Sequence, residues 1–261
     1  MTMPIESPLL LRSDDERGVT TLTLNRPSAF NALSEAMLSA LQTELDDLGK
    51  SSKLRVLVIA AVGKAFCAGH DLREMRAEPS MDYYQKLFDQ CGRMMMSIQK
   101  LQVPVIAKVQ GIATAAGCQL VAQCDLAVAS SDSKFAVSGV NLGLFCSTPS
   151  VALSRNLSRK AAFEMLVTGD FLNAQEALSK GLINKVAEPD ELDAVLEALV
   201  VKILAKPPVA LSMGKELFYM QLETGIEKAY EYAVQTMACN MMDNSALEGV
   251  QAFIEKRKPH W

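Results

Sequence analysis

"GIATAAGCQLVAQCDLAVAS", Gly111 to Ser130, decides how this chain is read. The apolar run "VPVIAKVQG" (Val103 to Gly111) ends at the first glycine of the stretch, a turn of small residues follows, and an apolar helix then begins. "DLAVAS" returns to the strand pattern. Strand, turn, helix and strand in close succession form the unit of an α/β layer. The first N–H groups of a helix have no acceptor within it, so the turn is suited to hold an oxygen or an anion. Gln119 lies in this helix. Its amide donates and accepts hydrogen bonds but does not titrate near neutral pH as a carboxylate would.

A second turn of the same kind lies upstream. "LRVLVIAAVG" (Leu54 to Gly63) is another continuous apolar run bounded by turn residues, as a strand buried on both faces requires, and it leads into a loop, "GKAFCAGHDLREM". Further towards the N-terminus, "GVTTLTLN" (Gly18 to Asn25) alternates Leu22 and Leu24 with threonines, the pattern of a strand with one wet face. From Ser34, a plausible N-cap, Met37, Leu38, Leu41, Leu45 and Leu48 recur at helical spacing until Gly49 ends the run. A Met-rich helix is expected from Met81 to Lys100, with Met94, Met95 and Met96 as core filling. "KFAV" from Lys134 and "LINKVAE" (Leu182 to Glu188) supply further short strands.

After "PDEL" (Pro189 to Leu192) the pattern stays helical, with Pro207 and Pro208 at a helix boundary. The chain therefore divides into an α/β core over residues 1–205 and a helical section over 206–261 whose apolar faces need a partner surface.

With 261 residues and 49% hydrophobic content the chain can bury a large core. A net charge of -4, with basic residues interleaved among acidic ones, gives no whole-protein attraction to nucleic acid or to anionic membranes. The longest apolar runs fall well short of the roughly 20 residues that cross a bilayer. "MTMPIESPLLLR" lacks the basic patterns of a signal or transit peptide, so a cytoplasmic location is the expectation. Six cysteines without CxxC spacing and two histidines, His70 and His260, make a metal site improbable, and the thiols are expected reduced and mostly buried.

On periodicity alone, "FCAGHDL" and "GIATAAGCQL" are compatible with two ordinary strand-to-helix turns. Two such turns with N–H groups converging on one point would instead make an oxyanion hole. Several ordered motifs bear on that choice: "NRPSAFNAL" from Asn25, "GKAFCAGHDLREM" from Gly63, "PVIAKVQGIATAAGCQLVAQCDLAVAS" from Pro104, "TGDFLNAQEALSKGLINKV" from Thr168 and the "AFIEKRKPHW" ending. Together these resemble the enoyl-CoA hydratase/isomerase (crotonase) superfamily over nearly the whole chain. The resemblance implies a spiral of ββα units with a C-terminal helical trimerisation section, assembled as a homotrimer or a dimer of trimers.

It also implies an acyl-CoA ligand, with coenzyme A as part of the substrate and no prosthetic group. The thioester oxygen would be held by the backbone N–H groups of His70 and Ala116, where many relatives have glycine at the second position. The CoA moiety would run along Arg26, Ala32, Lys64, Ala65, Phe66 and Ala68, with Phe253 and Lys256 closing over it, from the same chain or a neighbour. Two water-activating glutamates of family hydratases match Gln119 and Gly139. Both carboxylates are missing, so standard hydration is expected to be weak, and Gln119→Glu together with Gly139→Glu is the direct test. The "AGHDL", "VNLG" and "EKRKP" stretches are most similar to a branch that includes acyl-CoA decarboxylases, in which loss of carbon dioxide makes the enolate without a strong base. Ser138, Asn141, Ser147 or Thr148 would orient the departing carboxylate, while Cys146 stands where such decarboxylases have tyrosine. An enoyl-CoA hydratase or isomerase with an unusual acid/base and a non-catalytic acyl-CoA binder are the alternatives.

Overall fold

The computed structural model describes residues 7–77 and 79–261. Its strands are β1 (Leu10–Asp14), β2 (Val19–Leu24), β3 (Val56–Ala61), β4 (Ala65–Cys67), β5 (Val105–Val109), β6 (Ile112–Thr114), β7 (Leu126–Ser130), β8 (Lys134–Ala136), β9 (Leu172–Asn173) and β10 (Lys185–Ala187). The helices are α1 (Glu35–Leu48), α2 (Leu72–Ala77), α3 (Met81–Lys100), α4 (Ala116–Gln123), α5 (Ser147–Asn156), α6 (Arg159–Thr168), α7 (Ala174–Lys180), α8 (Leu192–Leu204), α9 (Pro208–Leu222), α10 (Ile226–Met241) and α11 (Asn244–Ile254). Short 3-10 turns cover Pro27–Ala29 and Ser138–Leu142.

The strands form a larger sheet in the order β1-β2-β3-β5-β7-β10 and a smaller one in the order β4-β6-β8-β9. Only β1 and β9 run antiparallel to their neighbours in these sheets. The apolar runs read as buried strands are the middle of the larger sheet. In β3, Leu57 and Ile59 join the main core while Val56 and Val58 face α8 and its Leu196, Leu199 and Val200. Side chains alternate across a strand, so an apolar residue at every position means that both faces are covered.

Helix α1 starts where the spacing places it. Ser34 accepts from the Met37 N–H, and the five predicted apolar positions are all buried. The cap satisfies one of the orphan donors of the first turn and contributes about 1 kcal/mol. Helix α3 also has the predicted bounds, but Met96 is 46% exposed while Met94 and Met95 are buried. Three consecutive residues span too much of a helix's circumference for all to face one core.

The loop expected after Gly63 contains β4 and α2, elements too short to show a period. Strand β1 was absent from the pattern because it is an exposed edge strand with little apolar alternation. Cys67, Cys91, Cys118, Cys124 and Cys146 are buried thiols, whereas Cys239 is exposed.

A buried ion pair joins the C-terminal helices to the sheet. Asp125, just before β7, accepts from Lys215 Nζ at 2.7 Å, from Tyr219 Oη at 2.7 Å and from the Val105 N–H at 2.6 Å. Burial pulls the Lys215 ammonium below its ordinary range, against the opposing pull of Asp125.

Candidate active site

Strands β4, β6 and β8 are parallel neighbours, so the turns that follow them emerge side by side at one end of the smaller sheet. The first turn carries Gly69 and His70, the second Ala115 and Ala116, and the third Ser138 and Gly139. These three turns line one cavity of about 350 Å³, which Leu142, Phe145 and the start of α5 complete.

The turns interlock closely. A Cβ on Gly69 would lie 2.9 Å from Ala115 Cβ and 3.2 Å from the Ala116 nitrogen. On Gly117 it would fall 2.1 Å from the Cys67 carbonyl oxygen. Helix α4 therefore starts in direct backbone contact with the end of β4. Ala116 is its first residue, and neither the His70 nor the Ala116 N–H donates to a backbone carbonyl among the described residues. Both residues line the cavity.

The constrained backbone position is Ala115 rather than Ala116. Ala115 has φ 50° and ψ -122°, while its N–H is fixed by the Ala136 carbonyl at 2.9 Å. On the other turn the equivalent demand falls on Gly69, at φ 91°. Asp71 fastens that turn. Its carboxylate accepts from Arg26 at 2.8 Å and from the Arg73 N–H at 3.0 Å. Burial pushes the Asp71 carboxyl up, but Arg26 and the Arg73 and Glu74 amides outweigh it and hold it below the ordinary range.

His70 presents an uncharged ring. Burial lowers its pKa to about 4, its Nε2 has no hydrogen-bond partner among the described residues, and the imidazole meets Phe88 edge-on with centroids 5.3 Å apart. That nitrogen therefore makes no hydrogen bond to Cys146. Burial raises the Cys146 thiol, against a hydrogen bond from Gly139 that lowers it, so it is not a thiolate near neutral pH. The lining includes no aspartate or glutamate among the described residues.

Gln119 is buried but does not line this cavity. It faces a neighbouring groove, and its Oε1 has no partner among the described residues. Gly139 does line the cavity, but a Cβ there would meet the Leu144 carbonyl at 2.5 Å and Cys146 Sγ at 2.7 Å. The double glutamate variant therefore requires the loop after residue 139 to move, which removes its value as a clean test. Ser138 Oγ lies 2.9 Å from Thr114 Oγ1, and Ser147 and Thr148 line the cavity. Asn141 instead donates to the Gly169 carbonyl at 3.4 Å and does not line it.

Among the residues expected along CoA, Ala68 borders the cavity, Arg26 is held by Asp71, and Lys64 is exposed. Ala32, Ala65 and Phe66 are buried. Phe66 belongs to the main core, which leaves its backbone as the part available to a ligand. Phe253 is 85% exposed at the end of α11, and neither it nor Lys256 lines the cavity within one chain.

Sequence reasoning did not find Asn31 or Phe88. Asn31 is fully buried and donates to the Val62 and Ala65 carbonyls, which locks "NRPSAFN" onto the entry to β4. Its only sequence signal is a turn-favouring residue type. Phe88 arrives from the distant α3 and has no local signal at all.

Residues 14–261 match the Enoyl-CoA hydratase/isomerase family. The chain belongs to that family. The enoyl-CoA hydratase of Mycobacterium smegmatis, a solved structure, is 66% identical, with TM-score 0.96 and coverage of 98% of this chain and 99% of that one. The solved human enoyl-CoA hydratase domain-containing protein 3 is 44% identical, with TM-score 0.93 and coverage of 97% and 100%. The rat protein of that name is 44% identical over 258 residues, 99% of this chain and 86% of its own length. The family member thus has the expected crotonase fold and falls beside the expected domain-containing branch. The cytoplasmic expectation does not stand: the relatives from rat, mouse, frog, human and zebrafish are named mitochondrial. That expectation rested only on the lack of a basic targeting pattern in the first residues.

Proposed function

We propose that this cavity binds the acyl-thioester end of an acyl-CoA and stabilises its enolate through the His70 and Ala116 N–H groups. The carrying observation is that His70 and Ala116, whose N–H groups have no backbone acceptor among the described residues, line one cavity whose described lining has no carboxylate. Donors fixed before the reaction contribute about 3 kcal/mol each to stabilising an oxyanion. His70, with its pKa lowered to about 4, and Cys146, held as a thiol, are weak bases near neutral pH, which favours a route in which no base has to remove a carbon-bound proton.

Decarboxylation is such a route. The bond between the α-carbon and a substrate carboxylate breaks, its electron pair passes into the thioester enolate, carbon dioxide leaves, and a solvent proton returns to the α-carbon. Ser138, Ser147 and Thr148 are the polar side chains positioned to orient that carboxylate. The expected result by mass spectrometry is that malonyl-type thioesters lose carbon dioxide on incubation while enoyl thioesters gain little or no water. Rapid hydration of crotonyl-CoA without loss of carbon dioxide from any malonyl-type substrate would overturn this reading.

The CoA moiety is proposed to lie along Arg26, Lys64 and the Ala65–Ala68 backbone, with Phe253 and Lys256 supplied by a neighbouring chain. Residues 206–261 are proposed as the oligomerisation section of a trimer or dimer of trimers. Ile226, Tyr230, Val234, Met237 and Met241 form an exposed apolar stripe at helical spacing along α10, which supports this assembly. Sedimentation as a monomer at micromolar concentration would count against it.

A further inference from the structure

The cavity at the three turns is separated from a second space. A groove of about 830 Å³ runs between α1, α3, α4 and α5, and Phe88 and Thr148 line both the groove and the cavity. On the groove side, Met95, Met96, Val151 and Ala152 form an apolar strip beyond Phe88. Arg93 and Lys100 are balanced by Asp46 and Asp89, so the groove has no net preference for a charged ligand. Gly92 stands on the same wall, and a Cβ there would meet no atom within 4 Å.

Phe88 is held in place from both sides. His70 meets it edge-on at 5.3 Å, and Tyr84 stacks on it with centroids 6.3 Å apart and planes 18° from parallel. Tyr84 is itself fixed by its hydroxyl, which donates to the Met75 carbonyl at 2.9 Å. A ring supported in this way acts as a wall between the two spaces.

We propose that Phe88 determines acyl-chain length: it closes the reaction cavity to long acyl tails, and the groove beyond it would take such a tail if the ring were removed. This rests on the acyl-CoA reading of the cavity. The occupant is the apolar tail of the same thioester, because the strip that continues past Phe88 is aliphatic and the charged residues at the groove cancel. Each methylene newly buried contributes about 0.8 kcal/mol, so two added methylenes correspond to on the order of a ten-fold gain in affinity.

The test is calorimetric binding of butanoyl-, decanoyl- and hexadecanoyl-CoA to the native protein, Phe88→Ala and Phe88→Leu. The native protein is expected to favour butanoyl-CoA. Phe88→Ala should shift the ratio of decanoyl-CoA to butanoyl-CoA affinity at least ten-fold towards decanoyl-CoA compared with the native protein. Phe88→Leu should show a smaller gain in the same direction, and it carries the test if the alanine variant fails to fold. Retained butanoyl-CoA binding without a long-chain gain in either folded variant would overturn the partition and leave the acyl-CoA reading intact. Native binding of all three thioesters with equal affinity would also overturn the partition. Failure of the native protein to bind any of them would overturn both.

Discussion

At the turn after β4 the residue with positive φ is Gly69, at 91°; at the turn after β6 it is Ala115, at 50°. Both turns bring an N–H to the same cavity, yet only one uses the residue suited to the conformation. The difference follows from what surrounds each Cα. A methyl on Gly69 would collide with Ala115 Cβ, so the first turn has no room for a side chain. Ala115 lines the cavity, and its methyl packs beside Gly69 and partly against the core. Such conformations cost about 1–3 kcal/mol each and persist where neighbouring contacts fix them. Here the Ala115 N–H bond to Ala136 is one such contact.

The comparison breaks most sharply at Gly117, which lets the second turn touch the first. Gly117→Ala places a methyl 2.1 Å from the Cys67 carbonyl, and a loss of more than about 3 kcal/mol is expected in denaturant unfolding. A change within about 1 kcal/mol would show that the turns are not locked together.

His70 makes the first turn alone pH-sensitive. Its folded pKa is about 4 against an ordinary value of 6.5, so between these values the unfolded chain binds a proton that the folded chain does not. Stability from this residue is full above pH 6.5 and falls as the pH drops towards 4, by about 3 kcal/mol in total. The slope should flatten in His70→Gln when stability is measured across that range. An unchanged slope would remove the buried imidazole from the account.

Gly69→Ala should cost about 2 kcal/mol and weaken acyl-CoA binding, because strain and the Ala115 contact together displace the His70 N–H. Ala115→Gly is the small counterpart. Relief of its backbone strain should raise stability by about 1 kcal/mol in thermal unfolding. Destabilisation there would mean that the Ala115 methyl contributes more by packing than its backbone loses by strain.

These turns also mark the limit of what the sequence made legible. Helices α1 and α3 and strands β3 and β5 were readable because their apolar periods run long enough to exclude other elements. Strands β4 and β6 span three residues each and carry no period, though they aim both candidate donors. The glycine and alanine turns were visible as punctuation and became chemically specific through resemblance to the crotonase superfamily. Phe88, Asn31 and the exclusion of Gln119 from the cavity depend on elements far apart in the chain, so no local pattern encodes them.

The Asp125–Lys215–Tyr219 cluster has a consequence for the stability of the chain. Asp125 is tied to the sheet through the Val105 N–H, while the ammonium and hydroxyl that accompany it come from α9, about ninety residues further along the chain. Without α9 in place that carboxylate would have to stay hydrated, because leaving it buried without a cation costs several kcal/mol. Loss of Lys215 would leave that carboxylate without its cation, so this edge of the core and the last helices depend on each other for stability.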